Sequence, residues 1–399
     1  MKMKSASGLA VAGLVATTQL GAAQNFGDDS IGPDFAKLTN PFAARQPEAP
    51  LAKPGFAEDN PLRFNLGEST SIQIYGFARA EAFYDFDFEQ GDLSTATAVG
   101  DPANATGGEF DTSVRVSRFG IRAANNTAIG KVGAQLEFDL FGSGGSESSS
   151  PNLRLRHANV TIDDRWLFGQ FWTNFMPLVH YPRTADFNGP VGISFARVPQ
   201  IRYTFDAGNG LQFSGSLEEG NGGPSSDPVV TAAAFYGAER YSLRLAGLLG
   251  TFSSGNEATD DLDTYGITAS GSVNPWDGAT FSVTYTHGEG LGNLLIGGGA
   301  RSDALGTTEN ESNSLTAEFI QDINDKWSVG LAYGYEDYSL VTQINGALGF
   351  DQLQSVHANV FYTPVDNLTF ALEYIYIQSE GPGFSEDANR IGGSVTFAF

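Results

Sequence analysis

The sequence predicts an all-β protein, a transmembrane antiparallel β-barrel of sixteen strands, on three observations. From Ser69 onward, apolar and aromatic residues occupy every second position, and small or polar residues lie between them. The connections between these strands are generally longer and shorter in alternation. The chain of 399 residues has no run of about 18 apolar residues that could cross a membrane as a helix. Because a soluble sandwich also alternates, the connections decide the prediction.

The composition excludes several classes of protein. The chain has 46 acidic and 22 basic residues, and its net charge of −24 opposes binding to nucleic acid phosphates. It has no cysteine, so it can form neither disulfides nor thiolate metal sites. Its 30 phenylalanines and 14 tyrosines carry too much apolar surface for a disordered chain.

The N-terminus has the pattern of a secretory signal over residues 1–23. A basic start is followed by a short apolar core at 9–15 and a small-residue cleavage site that ends at Ala23. Residues 24–68 carry six prolines without any hydrophobic period, and we interpret them as a flexible periplasmic extension. The barrel is therefore predicted to occupy residues 69–399.

The connections give the strand count. Seven short ones lie at 125–130, 163–165, 207–210, 239–240, 274–278, 324–326 and 363–367. Eight generally longer ones lie at 87–110, 142–151, 176–198, 220–228, 253–262, 288–312, 339–351 and 380–388. Fifteen connections join sixteen strands, with long loops on one rim and short turns on the other, as in transmembrane barrels. Trp166, Trp276 and Trp327 lie at short turns, where an aromatic girdle is expected.

Six sequence segments resemble known porins. VSRFGIR (116–122) and GAQLEFD (133–139) resemble the second hairpin of Gram-negative trimeric porins. NLRLRHA (152–158), LFGQFWTNFM (167–176), FNGP (187–190) and RVPQIRY (197–203) are similar to the DcaP-like porin family. The match is close over residues 110–205 and only topological after that. The C-terminal Val395, Phe397 and Phe399 resemble the signal that porins present to the outer-membrane insertion machinery.

The resemblance implies a homotrimeric channel in the bacterial outer membrane, surrounded by lipid and lipopolysaccharide. It also implies that the third loop, at 176–198 here, folds into the lumen and that small, often anionic, solutes pass. Members of this family can carry an N-terminal coiled coil, but residues 24–67 contain no heptads, so none is expected here. A row of small residues, Ala78, Ala80 and Ala82, suits packing between protomers, although Tyr75 and Phe77 leave the parity of that strand ambiguous.

The arginines are concentrated in one part of the chain. Between Arg115 and Arg202 there are nine arginines and one lysine against six acids, a local balance of +4. Strand parity points Arg118, Arg122, Arg154, Arg156 and Arg202 inward, and it does the same for Arg115 only if a bulge occurs near Ser117. The third loop adds Arg183, Arg197 and Asp186. Guanidinium groups in series can guide an anion through a pore by weak bidentate hydrogen bonds.

Two roles for these arginines remain open. They either guide solutes, or they pair with the inward Glu137 and Asp139 and only stiffen the wall. Asp186 is a candidate for the opposing side of a transverse field, although a loop acid is also commonly just solvated. The sequence thus favours a porin for passive diffusion of small hydrophilic solutes, with a preference for anions such as carboxylates. The alternative is a structural or adhesive barrel with acidic surface loops and a closed lumen.

Enzymatic and metal-dependent functions are not expected. The chain has no Gly-x-Ser-x-Gly motif, and its four histidines are scattered. No cofactor is predicted. Two acid clusters could bind calcium but lack a defined loop motif, and we interpret them as solvated outer acids bridged to lipopolysaccharide by divalent ions. The clusters are Glu218 with Glu219, and Glu257 with Asp260, Asp261 and Asp263.

Overall fold

The computed structural model describes residues 62–66, 69–142, 151–220, 227–252, 261–344 and 348–399. The predicted signal (1–23), most of the extension (24–68), and Glu257 and Asp260 lie outside these ranges. Three short 3-10 turns, Ala96–Ala98, Leu178–His180 and Gly292–Leu294, are the helical elements of the described part. Within that part, no helix has the length and apolar content needed to cross a membrane.

The described residues form antiparallel β-structure in eighteen segments. These are β1 Arg63–Leu66, β2 Thr70–Asp85, β3 Glu109–Ser113, β4 Arg118–Thr127, β5 Gly130–Gly142, β6 Asn152–Ile162, β7 Trp166–Trp172, β8 Arg197–Gly208, β9 Leu211–Glu218, β10 Val229–Gly237, β11 Tyr241–Phe252, β12 Leu262–Val273, β13 Ala279–Glu289, β14 Glu311–Asp322, β15 Trp327–Ile344, β16 Leu348–Val365, β17 Leu368–Gly381 and β18 Phe384–Ala398.

The eighteen segments make a closed barrel of sixteen strands. From β4 to β18 each strand pairs with the next, and β18 pairs with β2 to close the ring. Segments β3 and β4 share one position, because β3 pairs with the second half of β2 and β4 with the first. Strand β18 pairs with residues 77–85 of β2 and ends at Phe399, which bonds to Gly76. Segment β1 pairs with residues 70–73 on the same edge of β2. The predicted fold class and strand number are confirmed.

The alternation of side chains follows the predicted parity. Along β12, Tyr265 and Ile267 are exposed on the outside, while Thr264 and Thr268 are buried on the inside. This is expected where the outer face meets lipid and the inner face meets polar groups. Trp166, Trp276 and Trp327 are exposed at short-turn ends, the position of an interfacial aromatic girdle.

Short turns lie where the sequence predicts them. In the turn 163–165, Asp163 and Asp164 both have φ of 53°, the left-handed conformation that tight hairpins need and that Asp tolerates. The prediction of two long outer connections at 339–351 and 380–388 is wrong. Strand β15 runs to Ile344 and β16 starts at Leu348, while β17 and β18 are joined directly after Gly381. Glycines and polar residues in these segments suggest loops, but backbone pairing needs no particular side chain and continues through most of both segments.

The N-terminal boundary of the barrel also differs from the prediction. Residues 63–66 were placed in the flexible extension, but they form β1, in which Arg63 pairs with Gln73 and Leu66 with Thr70. The segment is too short to show an alternating pattern, and its pairing depends on the free edge of β2. The barrel therefore starts before residue 69.

Deletion of residues 24–61 should leave a folded, conducting barrel. Deletion of residues 24–67 also removes β1 and exposes the edge of β2, so the barrel should unfold at a lower temperature. The heat-modifiable band on gels shows whether each deleted protein is folded, and heating a series of samples gives its unfolding temperature. Equal unfolding temperatures for the two deletions would contradict a contribution from β1.

The third long connection, residues 173–196, packs against inward side chains from many strands. His180 contacts Ser242 of β11 and Ser270 of β12, and Val191 bonds to Ser355 of β16. The inward residues that face it on β12 to β15 are small, which leaves room for a chain to lie on the wall. They include Thr268, Ser270, Thr284, Ser314, Thr316, Gly330, Ala332 and Gly334.

An apolar cluster forms where the long connections meet the inner wall. Ala96 and Val99 of the first long connection (86–108), Val191 of the third and Leu295 of the sixth (290–310) pack together. Against them lie wall residues of β15 to β18, namely Tyr338, Phe350, Leu353, Ile375, Ile377 and Ala388. The inner row is thus polar along much of its length but apolar where the connections cover it, a difference that alternation alone does not predict.

Candidate functional site

A cluster of charged side chains lies on the inner wall at β4, β5 and β6. Arg154 donates two hydrogen bonds to Asp139, at 2.9 and 2.6 Å. Arg156 donates to Glu137 at 2.8 Å and to Asp139 at 2.9 Å, and Arg118 lies 3.5 Å from Glu137. These three arginines are therefore paired with the two carboxylates that the sequence offered as partners.

Burial differs sharply within this cluster. The side chain of Arg156 is 1% exposed, whereas that of Arg154 is 33% exposed. Breaking a buried ion pair is costly, because the partner that remains is a buried charge that neither water nor an opposite charge stabilises. Arg156 and Arg118 are therefore buried in the wall, while the side chain of Arg154 is partly exposed.

Arg197 differs from the other arginines of the cluster. It starts β8 beside Trp172, and its guanidinium lies 5.0 Å from the Trp172 ring and 5.4 Å from the Phe195 ring. Across the described ranges, no carboxylate lies within 4.0 Å of it, and its Nη1 is buried without a hydrogen-bond partner. The cluster of Arg118, Arg154, Arg156 and Arg197 against two acids has an excess of two positive charges.

The other predicted wall arginines point inward as parity requires. Arg115 lies in the interruption between β3 and β4, where Ser117 N–H donates to Val114 O, and it pairs with Asp92 at 2.6 Å. The interruption is the irregularity expected near Ser117. Arg122 stacks on the ring of Tyr75 at 4.2 Å. Arg202 donates to Gln200 at 2.8 Å and to the carbonyl of Trp172.

The two predicted residues of the third long connection have different surroundings. Arg183 lies 4.4 Å from the Phe361 ring and 3.8 Å from Asp322. Burial lowers the pKa of Arg183, and the carboxylates of Asp322 and Glu318 oppose that shift. Asp186 accepts hydrogen bonds from Ser94, Asn188 and Gly189, so it joins the first and third long connections. A transverse field from Asp186 stays a prediction.

Four wall glutamates hold the third long connection, and the sequence reasoning missed this role. Glu218 accepts from the Asn174 N–H at 2.8 Å and Glu373 from the Ala185 and Asp186 N–H groups at 2.7 and 3.0 Å. Glu318 accepts from the N–H of Arg183, and Glu336 from that of Gly192. The signal was present for two of them, because Glu318 and Glu336 are single acids in inward rows made mostly of small residues. Glu218 is thus a wall anchor rather than a solvated loop acid.

Wall arginines contact the same connection through its carbonyl groups. Arg79 donates to Ala185 O, and Arg244 donates to Asn174 O and to Phe175 O. Since glutamates bind its N–H groups and arginines its carbonyls, the backbone is held on both sides. A charged backbone clamp of this kind fixes a loop without using its side chains.

The histidines bind to wall side chains, and the described His, Asp and Glu residues form no group suited to a metal ion. His180 lies between the hydroxyls of Ser270 and Ser242 at 2.7 and 2.9 Å, and His357 lies 3.2 Å from Glu373. In the part of the chain that the structure describes, no three His, Asp or Glu residues are grouped to hold a metal ion.

Comparison with known proteins identifies relatives. A model for the DcaP outer membrane protein family matches residues 57–261, more than half of the chain. The chain is similar to the outer membrane channel DcaP of Acinetobacter baumannii, with 25% identity and a TM-score of 0.75 over 84% of this chain and 99% of that one. No curated protein sequence matches it.

Two more distant structures share the fold. The anion-selective porin from Comamonas acidovorans has 14% identity and a TM-score of 0.57, over 83% of this chain and 100% of that one. The trimer form of OmpT from Vibrio cholerae has 14% identity and a TM-score of 0.55, over the same shares. At these identities the likeness shows the barrel fold alone.

Proposed function

Because the chain belongs to the DcaP outer membrane protein family and is an outer-membrane channel, we propose that it passes small hydrophilic anions by diffusion. Carboxylates are the solute class that suits guanidinium groups, since both are planar and form paired hydrogen bonds. Proteins of this channel type are not enzymes, so the prediction that the chain has no enzymatic activity is confirmed.

The observation that carries the anion preference is the uncompensated charge around Arg197. Arg118, Arg154 and Arg156 share Glu137 and Asp139, whereas Arg197 has no carboxylate partner among the described residues. A solute beside Arg154 and Arg197 therefore meets net positive charge. The local charge outweighs the chain's −24, because a narrow passage with walls of low dielectric focuses the field, while salt screens distant acids.

We also propose a homotrimer. Ala78, Ala80 and Ala82 lie exposed on the outside of β2, while Phe77 and Arg79 point inward, which resolves the parity of this strand. A row of small residues lets two barrels approach closely within a membrane. The trimer form of the OmpT structure offers a precedent for association in this fold.

The proposed anion preference is tested in planar bilayers under a KCl gradient. The zero-current potential of the unmodified channel should have the same sign as the equilibrium potential of chloride. The double variant Arg154→Gln/Arg197→Gln should move the zero-current potential toward the equilibrium potential of potassium. One charge at about 4 Å contributes about 1 kcal/mol in water, so loss of each arginine should weaken chloride preference about fivefold.

Arg165→Gln is the matched control for this experiment. Arg165 lies in the short turn 163–165 with its side chain 61% exposed, so its removal takes away one positive charge, half the change made by the double variant, at a place away from the cluster. Its potential should equal that of the unmodified channel. A potassium preference in the unmodified channel would contradict the proposal.

One observation favours a second candidate, a structural barrel with a closed lumen. Residues of three long connections pack together against wall residues of β15 to β18, and inward residues such as Thr268, Ser314 and Ser355 are about 1% exposed. The same bilayer experiment separates the candidates. Stepwise conductance supports the channel, and silence at all voltages supports the closed barrel.

A further inference from the structure

The third and sixth long connections are joined directly to each other. Phe195 N–H donates to Leu294 O at 2.6 Å, and Ile296 N–H donates to Ile193 O at 2.9 Å. Ser194 and Leu295 face each other between these two bonds as an antiparallel bridge. The sixth connection therefore contacts the segment that crosses the inner wall, rather than lying separately over the mouth.

Glu336 of β15 binds both connections with one carboxylate oxygen. Its Oε1 accepts from the N–H of Gly192 at 2.6 Å and from the N–H of Gly297 at 2.8 Å. Its Oε2 accepts from the Tyr338 hydroxyl, which in turn accepts from the N–H of Gly299. The Glu336 side chain is fully buried and lies in no ion pair within the described ranges. Its charge is therefore stabilised by groups of these two connections and by Tyr338.

The close approach at Glu336 depends on two glycines. A Cβ at Gly192, where φ is 90°, would lie 2.8 Å from the carbonyl oxygen of Tyr335 and 2.9 Å from that of Leu315. A Cβ at Gly297 would lie 1.9 Å from Oε2 of Glu336 itself. Each connection thus lies directly on the wall at this point, where there is room for backbone only.

We propose that Glu336 is a positioning residue that couples the sixth long connection to the third, so that the two move as one unit over the pore. A buried carboxylate that accepts from two N–H groups holds both of them in place. If the carboxylate is removed or displaced, both buried donors lose their partner together. Displacement of the outer connection would then displace the third connection, and the conductance would change. The proposal needs an open channel but no particular ion preference.

The test uses single-channel recording of Glu336→Ala, together with the conservative Glu336→Gln. Loss of the shared acceptor should make partial closures about tenfold more frequent, which corresponds to about 1.4 kcal/mol. Glu336→Gln keeps one oxygen acceptor and should show a smaller increase. If Glu336→Ala does not give a heat-modifiable barrel, Glu336→Gln carries the test alone.

A disulfide between the connections distinguishes coupling from general loosening. Because the chain has no cysteine, Ser194→Cys with Leu295→Cys creates a single pair of thiols. The pair sits at a non-hydrogen-bonded site, where opposite Cα atoms are about 4.5 Å apart, which suits a disulfide. In each Glu336 variant, the oxidised form should restore quiet conductance, and reduction in the bilayer should return the closures.

Glu373→Ala is the control variant. Glu373 binds the third connection to β17 at Ala185 and Asp186, so its loss loosens that connection without touching the sixth. The disulfide should not quiet its closures. The proposal is overturned if both Glu336 variants are as quiet as the unmodified channel, or if the disulfide fails to quiet them. A silent unmodified protein would instead reject the channel function itself.

Discussion

Arg156→Gln is expected to destabilise the barrel by about 3 kcal/mol, the lower end of the range for breaking a buried ion pair. Arg156 bridges Glu137 and Asp139 with its side chain 1% exposed, so its loss leaves two buried carboxylates short of a partner. Arg118 and Arg154 still contact them, which keeps the loss from being larger. Denaturant unfolding in lipid vesicles measures the change in the free energy of unfolding.

Two further variants separate charge pairing from simple loss of a side chain. Arg156→Gln combined with Glu137→Gln replaces the broken pair by neutral amides and should recover part of the stability. Arg165→Gln removes an exposed arginine and should change the stability by less than about 1 kcal/mol. A loss for Arg156→Gln no greater than that for Arg165→Gln would show that the cluster does not stabilise the wall.

Replacement of residues 174–195 by a short Gly-Asn-Gly turn should raise the conductance severalfold and shift the selectivity toward cations. Such a turn can close the gap, because the N–H of Thr173 already donates to Ala196 O at 3.0 Å. Removal of the connection opens the space that it occupies along the inner wall. It also takes N–H donors from Glu218, Glu318, Glu336 and Glu373, and carbonyl acceptors from Arg79 and Arg244. Four carboxylates against two arginines attract potassium.

The distinctive part of this result is the change of selectivity without removal of the wall cluster. Arg154, Arg156 and Arg197 remain in the shortened protein. The replacement removes Val191 from its apolar cluster, which could destabilise the barrel. The heat-modifiable band is therefore the control for folding, and it must persist in the shortened protein. Larger conductance with unchanged ion preference would show that the glutamates hold the connection but do not act on permeating ions.

The strands and the direction of their side chains follow from the sequence because each strand residue faces one of two solvents. Lipid outside and polar groups inside impose a period of two, and this placed Arg118, Arg154 and Arg202 on the inner wall. The interruption near Ser117 was also readable, because the apolar residues change phase there. The sequence pattern failed at 339–351 and 380–388, where strand pairing continues through segments rich in glycine and polar residues.

The sequence by itself thus determined the sixteen-stranded barrel, its short turns and the set of inward arginines. Only the tertiary structure decided which of those arginines are compensated, since Arg156 meets Glu137 and Asp139 while Arg197 lies beside the rings of Trp172 and Phe195. It alone showed that Glu336 and Glu373 bind backbone N–H groups of a segment far away in the chain. The physical reason is that parity is a local property of each strand, whereas the partner of a charge depends on which distant segments meet inside the closed ring.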